Sequence, residues 1–350
     1  MLTNTLGLTF NDVLLIPQYS NINSRSEVSL KAQLTPKFSL NIPITASNMD
    51  TIVGVNMAIA LSNLGSIAFY PRFATPIIQC QEIKQILDAG CNVIPSVGIK
   101  EGEKIRVKML IDLGIKILLV DVAHGHQQSC LDFIKYLKST YPNVEIIAGA
   151  VATYEGAKAL YHAGADTVKV GVGPGSACTT RIVTGSGMPQ ITAIIECAKA
   201  AKEFKKPLLA DGGMKNSGDV VKALAAGATC VMSGNLFAAT TETPGKILNI
   251  NGKKFKSYNG SASAAEKLSQ FRKNSTDKNS EYVKHIEGLE RSVESRGSVI
   301  EILDQISKGI TSGLSYSGAR NISELHQKAK LIQVTSSVIY ENNNRETSRL

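Results

Sequence analysis

The chain of 350 residues contains no tryptophan, and aromatic residues make up only 5% of it. This scarcity argues against a stacking platform for single-stranded nucleic acid, which needs a series of exposed rings. The net charge of +9 does not change that conclusion, because the Lys and Arg residues crowd into 253–278 and not onto a recognition helix. We therefore expect no nucleic-acid partner.

Paired cysteines and long apolar runs are missing as well. The cysteines show no CxxC spacing, so the sequence predicts neither a zinc site nor a disulfide framework and favours a reducing compartment. They are Cys80, Cys91, Cys130, Cys178, Cys197 and Cys230. No apolar stretch is long enough to span a membrane, and the N-terminus does not resemble an export signal. We expect a cytoplasmic protein without a membrane partner.

A unit of about 25 residues repeats along the chain. Five helix-like segments end in a glycine that is followed by an apolar strand, and glycine there is typical of a left-handed helix C-terminus. These glycines are Gly65, Gly90, Gly114, Gly164 and Gly227. Three further apolar segments complete a set of eight strands, near residues 44, 68, 94, 119, 147, 170, 209 and 232.

Eight alternating βα units predict a (β/α)8 TIM barrel, an α/β fold with parallel strands. The alternative is an open doubly wound sheet, but its usual glycine-rich first turn is missing. We expect one catalytic domain over residues 1–335, with a flap at about 235–300 inserted after the eighth strand. A polar tail follows at 336–350. Barrel chemistry belongs to the loops after the strands, and the two long loops are 171–190 and the flap.

The basic run of 253–278 allows two interpretations. It is typical of a solvated mobile loop, and alternatively it helps to hold an anionic ligand. The run contains Lys253, Lys254, Lys256, Lys267, Arg272, Lys273 and Lys278.

The loop after the sixth strand reads GVGPGSACTTR over 171–181. Its glycines allow the backbone to approach a ligand closely. Cys178 lies among Ser176, Thr180 and Arg181, and a thiol in a polar loop beside a cation can ionise and act as a nucleophile. We expect the other five cysteines to be buried and inert.

Acidic side chains stand where the fourth and seventh strands end. Asp121 in DVAHGH and Asp211 in ADGG suit the recognition of hydroxyl groups, such as those of a ribose. The alternative for Asp211 is the N-cap of a helix that begins at Ser217. His124 and His126 could form a metal pair, but no third ligand has useful spacing.

Seven segments together resemble the IMP dehydrogenase/GMP reductase family, from about residue 7 to 335. They are LTFNDVLLIP, ASNMDT, DVAHGH, GVGPGSACTTR, GMPQITAI, ADGGMKNSGDVVKALAAGA and EGLERSVESRG. The resemblance implies that Cys178 adds to C2 of a purine mononucleotide and forms a covalent thioimidate. A hydride then passes between C2 and a nicotinamide cofactor.

The resemblance also implies roles for single residues. Those at the nucleotide would be Ser47, Met49, Ser176, Asp211, Gly213, Gly234, Tyr258 and Gly260. Those at the nicotinamide half of the cofactor would be Asp121 and Gly171, and those beside the Cys178 nucleophile would be Thr180 and Glu287. The carbonyl groups of Gly173, Gly175 and Cys178 match a potassium site that a neighbouring subunit completes in the dehydrogenases, and the family forms homotetramers.

Several positions depart from the family pattern. The flap reads YNGSAS at 258–263 where YRGMGS is usual, and the water-activating Arg-Tyr dyad falls on Asn274 and Ser275. An asparagine of the cofactor half is Ala150, and a serine of the phosphate site is Asn235.

Three functions remain open at this point. An IMP dehydrogenase using NAD is favoured by GMPQITAI, by ETPG at 242–245 and by the long gap from Ser263 to Glu287. A GMP reductase using NADPH is favoured by the absent dyad and by the lack of CBS domains, since FYPRFATP at 69–76 passes straight into the next helix. The third is a nucleotide-binding paralogue with impaired catalysis.

Overall fold

The computed structural model describes residues 6–273, 284–338 and 341. Its strands are β1 (Val13–Leu15), β2 (Ala32–Thr35), β3 (Phe38–Leu40), β4 (Ile44–Ala46), β5 (Ile67–Tyr70), β6 (Ile94–Val97), β7 (Ile117–Asp121), β8 (Glu145–Val151), β9 (Thr167–Val170), β10 (Leu208–Asp211), β11 (Cys230–Ser233), β12 (Leu248–Ile250), β13 (Lys253–Asn259), β14 (Glu290–Glu294) and β15 (Leu331–Gln333). Its helices are α1 (Val55–Asn63), α2 (Pro76–Asp88), α3 (Glu103–Asp112), α4 (Gln128–Thr140), α5 (Tyr154–Ala163), α6 (Thr180–Thr184), α7 (Gln190–Phe204), α8 (Ser217–Ala225), α9 (Ala264–Lys273), α10 (Val299–Tyr316) and α11 (Ile322–Lys328).

Strands β4 to β11 form a closed parallel barrel. Each strand pairs with the next along the chain, and β11 pairs with β4 to close the ring. The eight strands lie where the repeat predicts them, and helices alternate with them. The TIM-barrel prediction is therefore confirmed, and closure excludes the open doubly wound sheet.

The repeating glycines explain how each helix gives way to the next strand. All five have φ between 74° and 117°, the left-handed region that a side chain rarely tolerates. The chain leaves the helix there and enters a strand that is buried on almost every residue, because helices cover the outside of the barrel and side chains fill its interior. Local sequence signals thus fix the order and spacing of the barrel units.

The N-terminal end of the barrel is closed by the β2–β3 hairpin. Leu34 of β2 is fully buried, and Thr35 donates a 2.6 Å hydrogen bond to the carboxylate of Glu145. Strands β1 and β15 pair antiparallel beside the barrel. The opposite end, where the strands finish, is left to the loops.

The segment after β11 is only partly a flap. Leu236, Phe237 and Ala238 are buried in the core, and the flap itself is the antiparallel sheet β12–β13–β14 with α9. Helix α10 begins at Val299 and is the eighth helix of the barrel. The predicted flap boundaries of 235–300 therefore include core residues at their start, because the chain continues along the barrel before it turns outward.

The basic run divides into several environments, so its interpretation as a solvated loop is wrong for two of its lysines. Lys253 and Lys254 are exposed. Lys256 is buried and donates hydrogen bonds of 2.7–3.1 Å to the carbonyls of residues 240, 241 and 243. Lys267 is buried against the cavity described below. The side chains of Arg272 and Lys273, and all of Lys278, lie outside the described residues.

Most of the tail predicted at 336–350 also lies outside the described residues. Among the helices that are described, none combines the length and apolar character needed to cross a membrane.

Candidate active site

A cavity of about 370 Å³ opens at the C-terminal ends of the barrel strands. Its walls come from the loops after these strands, from the Cys178 loop and from the flap. Every residue to which the family resemblance assigns a role lines it. They are Ser47, Met49, Asp121, Gly171, Gly173, Gly175, Ser176, Cys178, Thr180, Asp211, Gly213, Gly234, Tyr258, Gly260 and Glu287. The fold therefore brings together residues that are far apart in the sequence.

Cys178 stands at the start of a chain of hydrogen bonds. Its Sγ lies 3.1 Å from Oγ1 of Thr180, and that hydroxyl donates a 2.7 Å hydrogen bond to Oε2 of Glu287. The thiol proton thus has a path through one hydroxyl to a carboxylate. Such a path can deliver a thiolate, which is the nucleophilic form of cysteine.

The backbone holds this chain in place. Cys178 and Gly288 form an antiparallel bridge, flanked by hydrogen bonds from Thr179 N to Glu287 O (3.0 Å) and from Leu289 N to Ala177 O (2.9 Å). Backbone pairing therefore fixes the segment that carries Glu287 to the loop of residues 171–190. We call this loop, which carries the candidate nucleophile Cys178, the nucleophile loop.

The other five cysteines are buried, as predicted. Burial, with the charge of Asp121, raises the pKa of Cys130 to about 11, and burial also raises the pKa of Cys80, Cys197 and Cys230. A thiol whose pKa is raised stays protonated and unreactive at neutral pH. Cys178 differs because it is partly exposed to the cavity.

Two carboxylates share one buried lysine at the bottom of the cavity. Nζ of Lys169 lies 2.7 Å from Oδ2 of Asp211 and 3.1 Å from Oδ1 of Asp121. Burial alone would raise the pKa of Asp121, but the charges of Lys169 and Arg72 outweigh it and leave that pKa lowered. Burial likewise opposes the charge of Lys169, yet the two aspartates raise its pKa. Both shifts favour the charged forms of Asp121 and Lys169.

The alternative interpretation of Asp211 as a helix N-cap is wrong. The N-cap of α8 is Asn216, whose side chain accepts a 2.9 Å hydrogen bond from Asp219 N. Asp211 ends β10 instead, five residues earlier, and its side chain turns to Lys169.

In the remaining wall of the cavity the flap lies close to the loop that carries Cys178 and to the end of β11. The hydroxyls of Ser176 and Tyr258 lie 3.1 Å apart. A Cβ at Gly234 would come within 2.8 Å of the Met49 sulfur, and one at Gly260 within 2.5 Å of the Ala177 carbonyl. Glycine is needed at residue 260 because a Cβ there would push the flap away from the backbone of the Cys178 loop, whereas at residue 234 the flexible Met49 side chain would have to shift.

The departures from the family pattern fall in different places. Ala150 and Asn235 line the cavity, whereas Asn274 and Ser275 lie outside the described residues. The rings of His124 and His126 lie in a T-shaped arrangement with their centroids 6.4 Å apart. Among the described residues, no group of three His, Cys, Asp or Glu side chains is placed to hold a metal ion.

Several cavity residues were not predicted from the sequence, namely Arg72, Phe73, Lys169 and His285. Lys169 had a signal, because a lysine in the otherwise apolar strand TVKV needs a buried partner. Arg72 directly follows β5, which is where a barrel places functional groups. His285 had none, since its position depends on how the flap folds. Lys267 belongs to the basic run, and it lines the cavity as the anionic-ligand interpretation of that run allows.

A closed parallel barrel with a cysteine and two carboxylates in the cavity at its strand ends defines the (β/α)8 class, in which this end of the barrel carries the active site. The IMP dehydrogenase/GMP reductase domain matches residues 7–345, and the chain belongs to this family of oxidoreductases.

Relatives of both kinds resemble the chain over nearly its whole length. An inosine-5'-monophosphate dehydrogenase of Borreliella burgdorferi is 38% identical, over 96% of this chain and 96% of that protein. A GMP reductase of Leishmania major is 29% identical, over 98% of each. The structure of a GMP reductase from Trypanosoma brucei, solved with guanosine 5'-monophosphate, superposes with a TM-score of 0.90 at 29% identity, over 97% of each chain.

Proposed function

We propose that the chain is an IMP dehydrogenase, which oxidises IMP to XMP with NAD through a covalent thioimidate on Cys178. The observation that carries this proposal is the hydrogen-bonded chain Cys178–Thr180–Glu287 inside a cavity at the strand ends. The similarity to the Borreliella enzyme supports the choice of the dehydrogenase.

The first half of the mechanism forms the adduct. The Cys178 proton moves through Thr180 to Glu287, and the thiolate forms a bond to C2 of the purine while the π electrons of the C2–N3 bond move to N3. Glu287 faces the N1 edge of the base from the flap. Asp211 accepts hydrogen bonds from the ribose hydroxyls, while Ser47, Met49 and Tyr258 contact the nucleotide.

Further groups hold the phosphate. They are Ser176, Gly213 and Gly234, where backbone N–H groups and a hydroxyl suit an anion. Gly260 would line the phosphate site from the flap, while its own N–H donates to the carbonyl of Leu289.

The cofactor half of the cavity is lined by Asp121, Gly171, Phe73 and Val122. A carboxylate beside apolar walls fits the amide and ring of a nicotinamide. A bound NAD would supply the acceptor for the hydride lost from C2, and the electron pair on N3 would re-form the C2–N3 double bond to give the thioimidate on Cys178.

The second half releases the product. Glu287 first releases to solvent the proton that it took from Cys178. Water then adds to C2, its proton passes through Thr180 to Glu287, and the C2–S bond breaks to regenerate the Cys178 thiolate. Thr180 and Glu287 thus act in both half-reactions, because the water must approach C2, the same carbon that the thiolate attacked.

Potassium fits the donor set of the nucleophile loop. The carbonyl oxygens of Gly173, Gly175 and Cys178 are hard ligands of the kind that such a cation prefers, and Gly173 has φ 80°, which turns its carbonyl relative to its neighbours. The ion would order the loop, and a neighbouring subunit of a homotetramer would complete its shell.

A GMP reductase using NADPH is the second candidate. The close superposition on the Trypanosoma reductase favours it, and so does the flap sequence YNGSAS. It would use the same thiol and proton path, but would release ammonia and deliver a hydride to C2.

One assay separates these functions. The absorbance of reduced cofactor is followed with IMP plus NAD and with GMP plus NADPH, both in potassium buffer. We expect a signal in the first mixture. A signal in the second mixture alone would identify a reductase, and silence in both, with measurable nucleotide binding, would identify a nucleotide-binding paralogue.

A further inference from the structure

Lys169 lies between two carboxylates of the cavity wall. It projects inward from β9, its side chain is only 5% exposed, and its ammonium group reaches Asp121 at the end of β7 and Asp211 at the end of β10. One cation thus bridges two carboxylates from different strands.

The hydrogen bonds show what each carboxylate has left for a ligand. Asp121 uses Oδ1 for Lys169 and Oδ2 for the amide of Asn48, at 3.0 Å. Asp211 uses Oδ2 for Lys169, and in the described part of the chain no hydrogen bond is made to its Oδ1. The lysine therefore fixes the rotation of Asp211 so that one oxygen stays available.

The charges make the arrangement sensitive to Lys169. With the lysine present, the three groups carry one net negative charge. Without it, two carboxylates would face each other in a site that is largely removed from water, and their repulsion would turn both side chains away.

We propose that Lys169 is a positioning residue that holds Asp211 for the nucleotide and Asp121 for the cofactor at the same time. The assignment of the two ligands to the two aspartates rests on the proposed function. Lys169 itself acts through the carboxylates and not on the reacting atoms.

The nucleotide arm of the test is a double-mutant cycle. IMP binding is measured by calorimetry, without cofactor, for Lys169→Met, Asp211→Asn and the double variant. We expect Lys169→Met to weaken IMP binding by roughly tenfold or more, as for a lost hydrogen bond to a charged group, and to add little once Asp211 is replaced. Additive losses would overturn the proposal.

The cofactor arm repeats the cycle with Asp121→Asn. NADH binding is followed by the fluorescence of the cofactor, with IMP present and with Cys178→Ala in every variant to prevent turnover. We expect Lys169→Met as a single substitution to weaken NADH binding. In the Asp121→Asn background the same substitution should weaken it little further. A loss of the same size in both backgrounds would contradict the proposal.

Lys256→Met is the matched control. Lys256 is as deeply buried as Lys169, but it donates to backbone carbonyls of residues 240, 241 and 243 and does not line the cavity. We expect it to lower the melting temperature without changing either affinity. If it weakens IMP binding as much as Lys169→Met, the effect is one of stability and the proposal fails.

A second variant guards against loss of folding. Lys169→Met with Asp121→Asn leaves one carboxylate and keeps the net charge of the group at that of the native protein. We expect it to bind IMP roughly tenfold more weakly than Asp121→Asn alone, and equal affinities would overturn the proposal. These experiments measure ligand binding. The absence of dehydrogenase turnover would therefore contradict the proposed function without changing their outcome.

Discussion

Cys178 and the five buried cysteines have the same side chain but different surroundings. Replacing Cys178 by alanine removes the covalent step, and we expect turnover to be lost while nucleotide affinity stays within about tenfold. Turnover and nucleotide binding are measured separately. Cys91→Ala removes a buried thiol elsewhere and should keep turnover, whereas an active Cys178→Ala would show that the nucleophile is wrongly assigned.

Thr180 links the thiol to the carboxylate, so its hydroxyl should matter more than its shape. We expect Thr180→Val to slow turnover and the alkylation of Cys178 by iodoacetamide by about a hundredfold, within the usual range for a lost proton-transfer group. Thr180→Ser keeps the hydroxyl and should retain most of both rates. Equal labelling of the valine and serine variants would exclude the proton path.

Single residues also show where sequence reasoning was limited. Asp211 could be an N-cap or a ligand-binding group from its position alone, and only the placement of Asn216 at the start of α8 decided between them. Lys256 looked like one of several solvated lysines, because the sequence does not reveal which carbonyls a side chain will meet. Local chemistry was predictable for Cys178, since its hydrogen-bond partner Thr180 lies two residues away in the same loop.

At the scale of elements, the backbone pairing between the nucleophile loop and the flap is the feature that makes the site. Gly260 permits this contact, because a Cβ there would lie 2.5 Å from the carbonyl of Ala177. We expect Gly260→Ala to lower turnover by roughly a hundredfold, as small displacements of reacting groups do. The melting temperature should change little, since the barrel core is elsewhere.

The matched control for that substitution is Gly102→Ala. Gly102 precedes α3 with φ −62°, and a Cβ there meets nothing within 4 Å. We expect native turnover from it. If both glycine variants have the same activity, the contact between the flap and the loop does not contribute to catalysis.

The barrel elements could be predicted, and the flap elements could not, for one physical reason. Each βα unit carries its own signals, such as the glycine at 114 and the apolar strand after it, and the unit repeats. The flap sheet depends on pairing between β13 and β14, more than 30 residues apart, and its strands have no repeated pattern. Glu287 was assigned by family resemblance, because no local signal places it beside Thr180.

At the scale of the whole molecule, the proposed potassium ion would connect catalysis to assembly. Its ligands from this chain are backbone carbonyls in the loop that also carries the nucleophile, so the ion would order Cys178 without touching the substrate. If a neighbouring subunit completes the shell, then assembly and loop order depend on each other.

This dependence predicts a specific salt effect. Replacing potassium by sodium at constant ionic strength should lower turnover severalfold and leave IMP affinity nearly unchanged. Without potassium the loop that carries Cys178 would lose its order, whereas Asp211 and Lys169 would keep their positions. Constant ionic strength keeps the screening of surface charges equal in both salts. Sedimentation under the assay conditions should show four copies in potassium. Equal rates in both salts would remove the ion from the mechanism, and the rigidity of the loop would then have to come from its pairing with residues 287–289 alone.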